Sequence, residues 1–174
     1  MSVFQNLKDT VSNKLEERNQ AKAQDAYRQQ MQDLAHSSKF DLDDFYVQLK
    51  KNADSSGVNG WKSMIPGVSD MTAVQQLKAF LEILDATEPE FRTNPRLLNG
   101  KTKRQIAEKS GHSAEEINTL LRNYEQLSAL RQWLVKRVER GLSIPETMEE
   151  TTDLVRQDPT GFPAKKFRAK QRRY

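Results

Sequence analysis

The sequence predicts an all-α fold: a small orthogonal helical bundle containing a helix-turn-helix, with a long N-terminal helix before it and a basic C-terminal tail after it. Three observations predict this. No glycine or proline occurs before Gly57, so nothing punctuates the first third of the chain. Apolar residues recur at three- and four-residue steps in several separate stretches. Helix start signals at Thr102 and Ser113 stand on either side of Gly111.

The elements follow in order. Val3, Phe4, Leu7, Val11 and Leu15 give a helix with an apolar stripe. Beyond Leu15 the residues are mostly Gln, Glu, Lys and Arg, so residues 16–35 read as a solvated extension, and residues 1–38 as one N-terminal helical unit. A helical core spans residues 39–141. Asp41 caps its first helix, which carries Phe40, Leu42, Phe45, Tyr46 and Leu49. Residues 52–72 read as a breaker-rich loop that still holds Val58, Trp61, Met64, Ile65, Val68 and Met71. Val74, Leu77, Phe80, Leu81 and Leu84 mark the next amphipathic helix.

Pro95 suits the first position of a short helical turn, which Asn99-Gly100 ends. Thr102 is the expected cap of the following helix, with Gln105 as its capping-box partner, and Gly111 stops it. Ser113 and Glu116 form a second capping box. They open a long helix with Ile117, Leu120, Leu121, Tyr124, Leu127, Leu130 and Leu134 on one side, which fades near Gly141. Residues 142–174 read as an extended tail, first acidic (Glu146, Glu149, Glu150, Asp153, Asp158) and then basic (Lys165, Lys166, Arg168, Lys170, Arg172, Arg173).

Composition narrows the function classes. Apolar residues make up 36% of the chain and charged residues 30%, and mean hydropathy is −0.84. The chain has no cysteine, which excludes disulfides and thiolate metal sites. It has no Walker-type loop and no metal-ligand spacing. His36 and His112 stand far apart in sequence and near no obvious nucleophile. The acidic pairs Asp43/Asp44 and Glu115/Glu116 fall in first turns, where they complement the helix dipole. A non-enzymatic binding protein without cofactor or metal is expected. No apolar run is long enough to span a bilayer, and the N-terminus lacks the pattern of a secretory signal, so a cytoplasmic location is expected. The net charge of +4 permits a nucleic-acid partner without requiring one.

The helix-turn-helix of residues 102–125 is compatible with a nucleic-acid groove, but on geometry alone such a pair is more often plain core packing. The basic tail, with Phe162, Phe167 and Tyr174, is either a solvated arm or one that folds onto RNA.

Residues 92–111, RTNPRLLNGKTKRQIAEKSG, resemble the M domain of the signal-recognition-particle core protein, whose RNA-binding helix-turn-helix carries a similar run. Glu116-Ile117-Asn118 with Leu120-Leu121 and Tyr124 is similar to the start of that family's next helix. Phe40-Asp41-Leu42-Asp43-Asp44-Phe45-Tyr46 with Gln48-Leu49 looks like its first M-domain helix, and Met64-Ile65-Pro66-Gly67 like its finger-loop element. The four matches occur in order over residues 39–134.

The resemblance implies an M-domain-like fold with two surfaces. The first is an RNA-binding corner comprising Arg96, Lys101, Thr102, Lys103, Arg104, Lys109, Ser110, Gly111 and Arg122, with Arg92 beside it. The second is a hydrophobic groove, which here would use Leu49, Val58, Trp61, Met64, Ile65, Leu81, Leu84 and Leu130. Departures are visible. Thr102 and Gln105 interrupt the family's basic run, Lys109 stands where the family has glycine, and about 38 residues occupy the place of the family's GTPase domain.

The expected function is an RNA-binding component of a signal-recognition-particle-type or ribosome-associated ribonucleoprotein, without GTPase activity. RNA is its partner, with the ribosome and a hydrophobic signal peptide as further partners. The alternative is a protein-interaction module that offers its groove to a peptide helix or a ribosomal protein. DNA binding through the helix-turn-helix ranks last.

Overall fold

The computed structural model describes residues 3–55 and 70–163. Among these the chain forms α1 (Val3–His36), α2 (Leu42–Ser55), α3 (Asp70–Ala86), the short α4 (Pro89–Thr93), a 3-10 turn (Pro95–Leu97), α5 (Gly100–Ser110), α6 (Ala114–Glu139) and α7 (Met148–Gln157). No strand occurs among the described residues, and no described helix is long and apolar enough to cross a membrane.

Local signals set most of the boundaries. Asp41 caps α2: its carboxylate accepts from the Asp44 N–H at 2.9 Å, and Asp44 accepts in return from the Asp41 N–H at 3.0 Å. The 3-10 turn begins at Pro95, as its fixed φ favours. The start of α5 differs from the sequence expectation. Asn99, not Thr102, is the cap: its Oδ1 accepts from the N–H groups of Lys101 and Thr102 at 2.9 and 3.1 Å. Thr102 is the reciprocal partner and accepts from the Asn99 N–H at 2.8 Å. Gly100 is therefore the first helical residue and not a terminator. The amide oxygen of Asn99 reaches two orphan N–H groups at once, which a Thr102 cap one turn later could not do.

Two apolar cores share one long helix. The first gathers Leu42, Phe45 and Leu49 of α2, Ala73, Leu77, Phe80, Ile83 and Leu84 of α3, Ile106 of α5, and Ile117 and Leu120 of α6. The second gathers Tyr27, Met31, Leu34 and Ala35 of α1 with Trp133 and Leu134 of α6. Phe40 and Leu127 pack against both. Phe40 also stacks on Tyr124, with ring centroids 5.6 Å apart. Each fully buried large apolar side chain contributes about 1.5–3 kcal/mol.

The second core corrects two sequence expectations. Residues 16–35 are not a solvated extension throughout. They stay exposed through Lys22, but Tyr27, Gln30, Met31, Leu34 and Ala35 are buried against α6. Nor is the acidic segment extended. Thr147 caps α7 by accepting from the Glu150 N–H at 3.1 Å, and Glu149 and Glu150 sit in the first turn, where the helix dipole favours them. Thr151 of α7 is buried, and Phe162 beyond it stacks on Trp133 at 6.0 Å. Trp133 Nε1 donates to the Asp158 carbonyl at 2.8 Å. The expected basic residues Lys165, Lys166, Arg168, Lys170, Arg172 and Arg173 lie outside the described residues, as do Val58, Trp61, Met64 and Ile65 of the expected groove.

Candidate nucleic-acid interface

The helix-turn-helix is α5, a three-residue turn and the first half of α6. Gly111 makes the turn possible: its φ of 73° is left-handed, and its N–H bonds the Ala107 carbonyl at 3.0 Å. Two residues on, Ser113 caps α6. Its Oγ accepts from the Glu116 N–H at 3.2 Å, while Glu116 accepts from the Ser113 N–H at 2.7 Å.

Between them, His112 ties the turn to α3. Its Nε2 lies 2.7 Å from Glu82 and its Nδ1 3.3 Å from Glu116. The Glu82 hydrogen bond, reinforced by Glu116, raises the His112 pKa above its ordinary value. The Glu116 carboxyl is held low, first by the backbone N–H of Ser113. Ile106, Ile117 and Leu120 anchor the inner side of both helices in the first core. The corner is thus fixed by caps, a latch and buried apolar contacts.

Its outer side carries the cations. Lys101, Arg104 and Lys109 are exposed on α5, and Arg96 is exposed on the preceding 3-10 turn. Lys103 is half-buried, with its Nζ 3.4 Å from Asn118 Oδ1 on α6. Arg104 Nε donates along its own helix to the Gly100 carbonyl at 3.2 Å. None of these five cations makes an ion pair among the described residues. Arg122 differs: it pairs with Glu115 at 3.0 Å and also donates to Thr119 Oγ1. Both partners of that pair are largely exposed, so it contributes little stability and leaves the guanidinium exchangeable.

Thr102 and Gly111 have structural duties as capping partner and helix stop, and Ser110 Oγ accepts from the His112 N–H at 3.3 Å. Arg92 belongs to the fold. It lies over the Tyr46 ring at 4.9 Å and donates to the Leu84 carbonyl at 3.3 Å. Its Nε stands 3.2 Å from Asp43 Oδ1, an ion pair without a well-directed hydrogen bond.

Sequence reading missed the pairing of Asn118 with Lys103 and the Glu82 side of the His112 latch. Partners fifteen and thirty residues apart in sequence leave no periodic signal.

Of the expected groove residues, Leu49, Leu81, Leu84 and Leu130 lie among the described residues. Leu49 and Leu84 are fully buried in the first core, with Leu81 half-buried against it. Leu130 packs on the second core instead. Leu49, Leu81 and Leu84 serve as packing where α2 and α3 close directly on each other. An open cleft of about 210 Å³ lies elsewhere, between the end of α1 and α2, lined by Leu34, Ser37, Phe40, Val47 and Gln48 among others. Val47 is 55% exposed at its edge.

Known proteins share much of this chain's sequence. The model of the signal peptide binding domain matches residues 19–150. The chain is 34% identical over 106 residues to a signal recognition particle protein of Thermus aquaticus, covering 58% of this chain and 24% of that protein. It is 31% identical over 96 residues to one of Aquifex aeolicus (52% and 21%). It is 28% identical over 116 residues to one of Helicobacter pylori (60% and 25%). The chain spans about a quarter of the length of these relatives. The matched domain is by its description a binding domain, in keeping with the expectation that this chain works by binding and not by catalysis. All the helices that build the first core fall within the match, and the chain belongs to the signal peptide binding domain family, the M-domain class that its sequence resembles.

Proposed function

We propose that this chain is an RNA-binding, M-domain-like component of a cytoplasmic ribonucleoprotein of the signal-recognition-particle type or one associated with the ribosome. It hydrolyses no nucleotide with the residues present. The observation that carries this reading is the set of exposed cations on the outer side of the fixed corner: Arg96, Lys101, Arg104 and Lys109 make no ion pair among the described residues. Rigid placement of α5 lowers the entropy lost when those side chains meet a folded polyanion. Lys103, steadied by Asn118, adds a fifth cation. Arg122 joins by exchanging Glu115 for phosphate.

The test is filter binding to structured RNA. The Lys101→Glu/Arg104→Glu protein should keep its thermal stability and lose at least about tenfold in affinity, with a shallower salt dependence. Equal binding by the variant and the unaltered chain rejects the corner as the site. Preference for duplex DNA over folded RNA rejects the RNA reading.

A second reading has its own support. The relatives are signal recognition particle proteins, and the matched domain binds signal peptides by its description. The cleft bordered by Leu34, Phe40 and Val47 offers an apolar edge to a hydrophobic peptide helix. Crosslinking of a photoreactive signal peptide to Val47, abolished by Val47→Asp, supports this reading. Crosslinking unchanged in that variant removes the cleft from consideration.

A further inference from the structure

The first two-thirds of α1 takes no part in either core. The helix has 34 residues and is about 50 Å long, yet only its stretch from Tyr27 onward is buried. Before that, Leu7, Val11 and Leu15 stand 60%, 61% and 59% exposed. At about 100° per residue they span an arc of about 80°.

Through Lys22 the charges are sorted around that arc; Asp25, nearer the domain, falls at its edge. Lys8, Lys14, Arg18 and Lys22 fall within it or about 20° from its edges, whereas Asp9, Glu16 and Glu17 lie about 80° or more outside it. The placement is visible in the structure, where Val11, Lys14, Leu15 and Arg18 line one shallow depression. By the same arithmetic the arc faces roughly half a turn away from Tyr27, Met31 and Leu34, the residues that fasten α1 to the domain.

We propose that residues 7–22 of α1 lie in the surface of an anionic lipid bilayer, with Leu7, Val11 and Leu15 inserted and Lys8, Lys14, Arg18 and Lys22 reaching the headgroups. An apolar stripe bordered by cations, with acids at the back, is the charge arrangement of an in-plane membrane helix. The half-turn offset places the domain on the water side, so both cores and the corner of α5 and α6 stay clear of lipid. The segment cannot cross the bilayer, since no described helix is long and apolar enough. A second copy fits less well. Parallel pairing sets Lys14 against Lys14 and Arg18 against Arg18, and antiparallel pairing about Val11 sets Lys8 against Lys14.

The test is flotation of the full, nuclease-treated chain with vesicles of phosphatidylglycerol and phosphatidylcholine, against vesicles of phosphatidylcholine alone. At low salt the chain should float with the anionic vesicles and bind neutral ones at least about tenfold less. Val11→Asp/Leu15→Asp and Lys14→Glu/Arg18→Glu should each reduce flotation about tenfold or more, with unchanged thermal unfolding because all four positions lie outside the cores. Failure of the unaltered chain to float with anionic vesicles overturns the proposal, as does equal flotation of either variant. A dimer in sedimentation velocity that Val11→Asp/Leu15→Asp abolishes also overturns it, in favour of self-association.

Discussion

Tyr27 Oη and Thr151 Oγ1 lie 2.6 Å apart in the protein interior, joining residues 124 positions apart in sequence. Thr151 gives its hydroxyl proton to the Thr147 carbonyl at 2.8 Å, so Tyr27 is the donor of the pair. The bond ties the buried end of α1 to α7, with Trp133 in the same core. Burial raises the Tyr27 pKa, which keeps the phenol protonated as a donor through the neutral range. Tyr27→Phe should cost about 1 kcal/mol by deleting one buried hydrogen bond. Tyr27→Ala should cost about 3–5 kcal/mol, because a cavity opens beside Met31 and Trp133. Urea unfolding checks both, and equal midpoints for Tyr27→Phe and the unaltered chain would show that the bond contributes nothing.

The first core was legible from the sequence and the second was not, for reasons that lie in particular residues. Leu42, Phe45 and Leu49, and likewise Leu77, Phe80 and Leu84, repeat at helical spacing without interruption, and Asp41, Gly111 and Ser113 act within one turn of where they stand. Local chemistry suffices for such signals. Tyr27, Met31 and Leu34 form a narrow face broken by Gln30, and what buries it is Trp133, a hundred residues away along the chain. In α7 the acidic run masks Met148, Leu154 and Val155. At the candidate site the run of cations was readable, but not which of them are free. Arg92 turns inward to Tyr46 and Asp43, while Arg104 faces out.

Asp158 ties the end of α7 to α6 and makes the second core sensitive to acid. The Thr160 hydroxyl, and after it Arg140 at 2.6 Å, hold its carboxyl at about 2, below its ordinary 3.8. A carboxyl depressed in the folded state adds stability above its unfolded pKa, and that stability is lost as pH falls through the folded value. The contribution should therefore be complete above about pH 5 and gone by about pH 1. Asp158→Asn should be less stable than the unaltered chain at pH 5, and the difference should shrink below about pH 4 and vanish toward pH 1. A constant difference across that range would exclude the titration of Asp158 as its cause.

His112 has the opposite sign. Glu82, at 2.7 Å, and Glu116 raise its pKa above 6.5. Stability from the charged latch is fully present below pH 6.5 and is lost as pH rises through the raised folded value. Proton NMR of the His112 imidazole should give a titration midpoint above 6.5. Glu82→Gln should move the His112 midpoint down and flatten the loss of stability on the alkaline side. A midpoint unchanged in Glu82→Gln would remove Glu82 as the main partner.

Gly111 separates backbone strain from contact at the turn. A Cβ built there meets nothing within 4 Å, so the only obstacle to a side chain is the φ of 73°. Gly111→Ala should cost about 1–2 kcal/mol, and Gly111→Asn should cost less because asparagine tolerates the left-handed region. If RNA binding also falls in Gly111→Asn while stability is nearly kept, the backbone of the turn approaches the RNA closely. If binding holds, Gly111 is a helix stop only.

If the chain binds RNA as proposed, the salt dependence of that binding should distinguish cations that meet phosphate from cations that hold the fold. Each phosphate contact contributes about 0.7–0.9 to the slope of log affinity against log salt. Lys101→Ala, Arg104→Ala and Lys109→Ala should each lower that slope by nearly one and leave the unfolding midpoint in place, since these exposed side chains make no ion pair among the described residues. Arg92→Ala should do the reverse. It removes an ion pair with Asp43, a hydrogen bond to the Leu84 carbonyl and a stacked contact on Tyr46, so stability drops by about 1–3 kcal/mol while the slope stays the same. Arg122→Ala should fall between them, because the cost of breaking its pair with Glu115 offsets part of any phosphate contact it makes. A slope that changes equally for Arg92 and Lys101 would mean that the polyanion is not read by the outer side of α5.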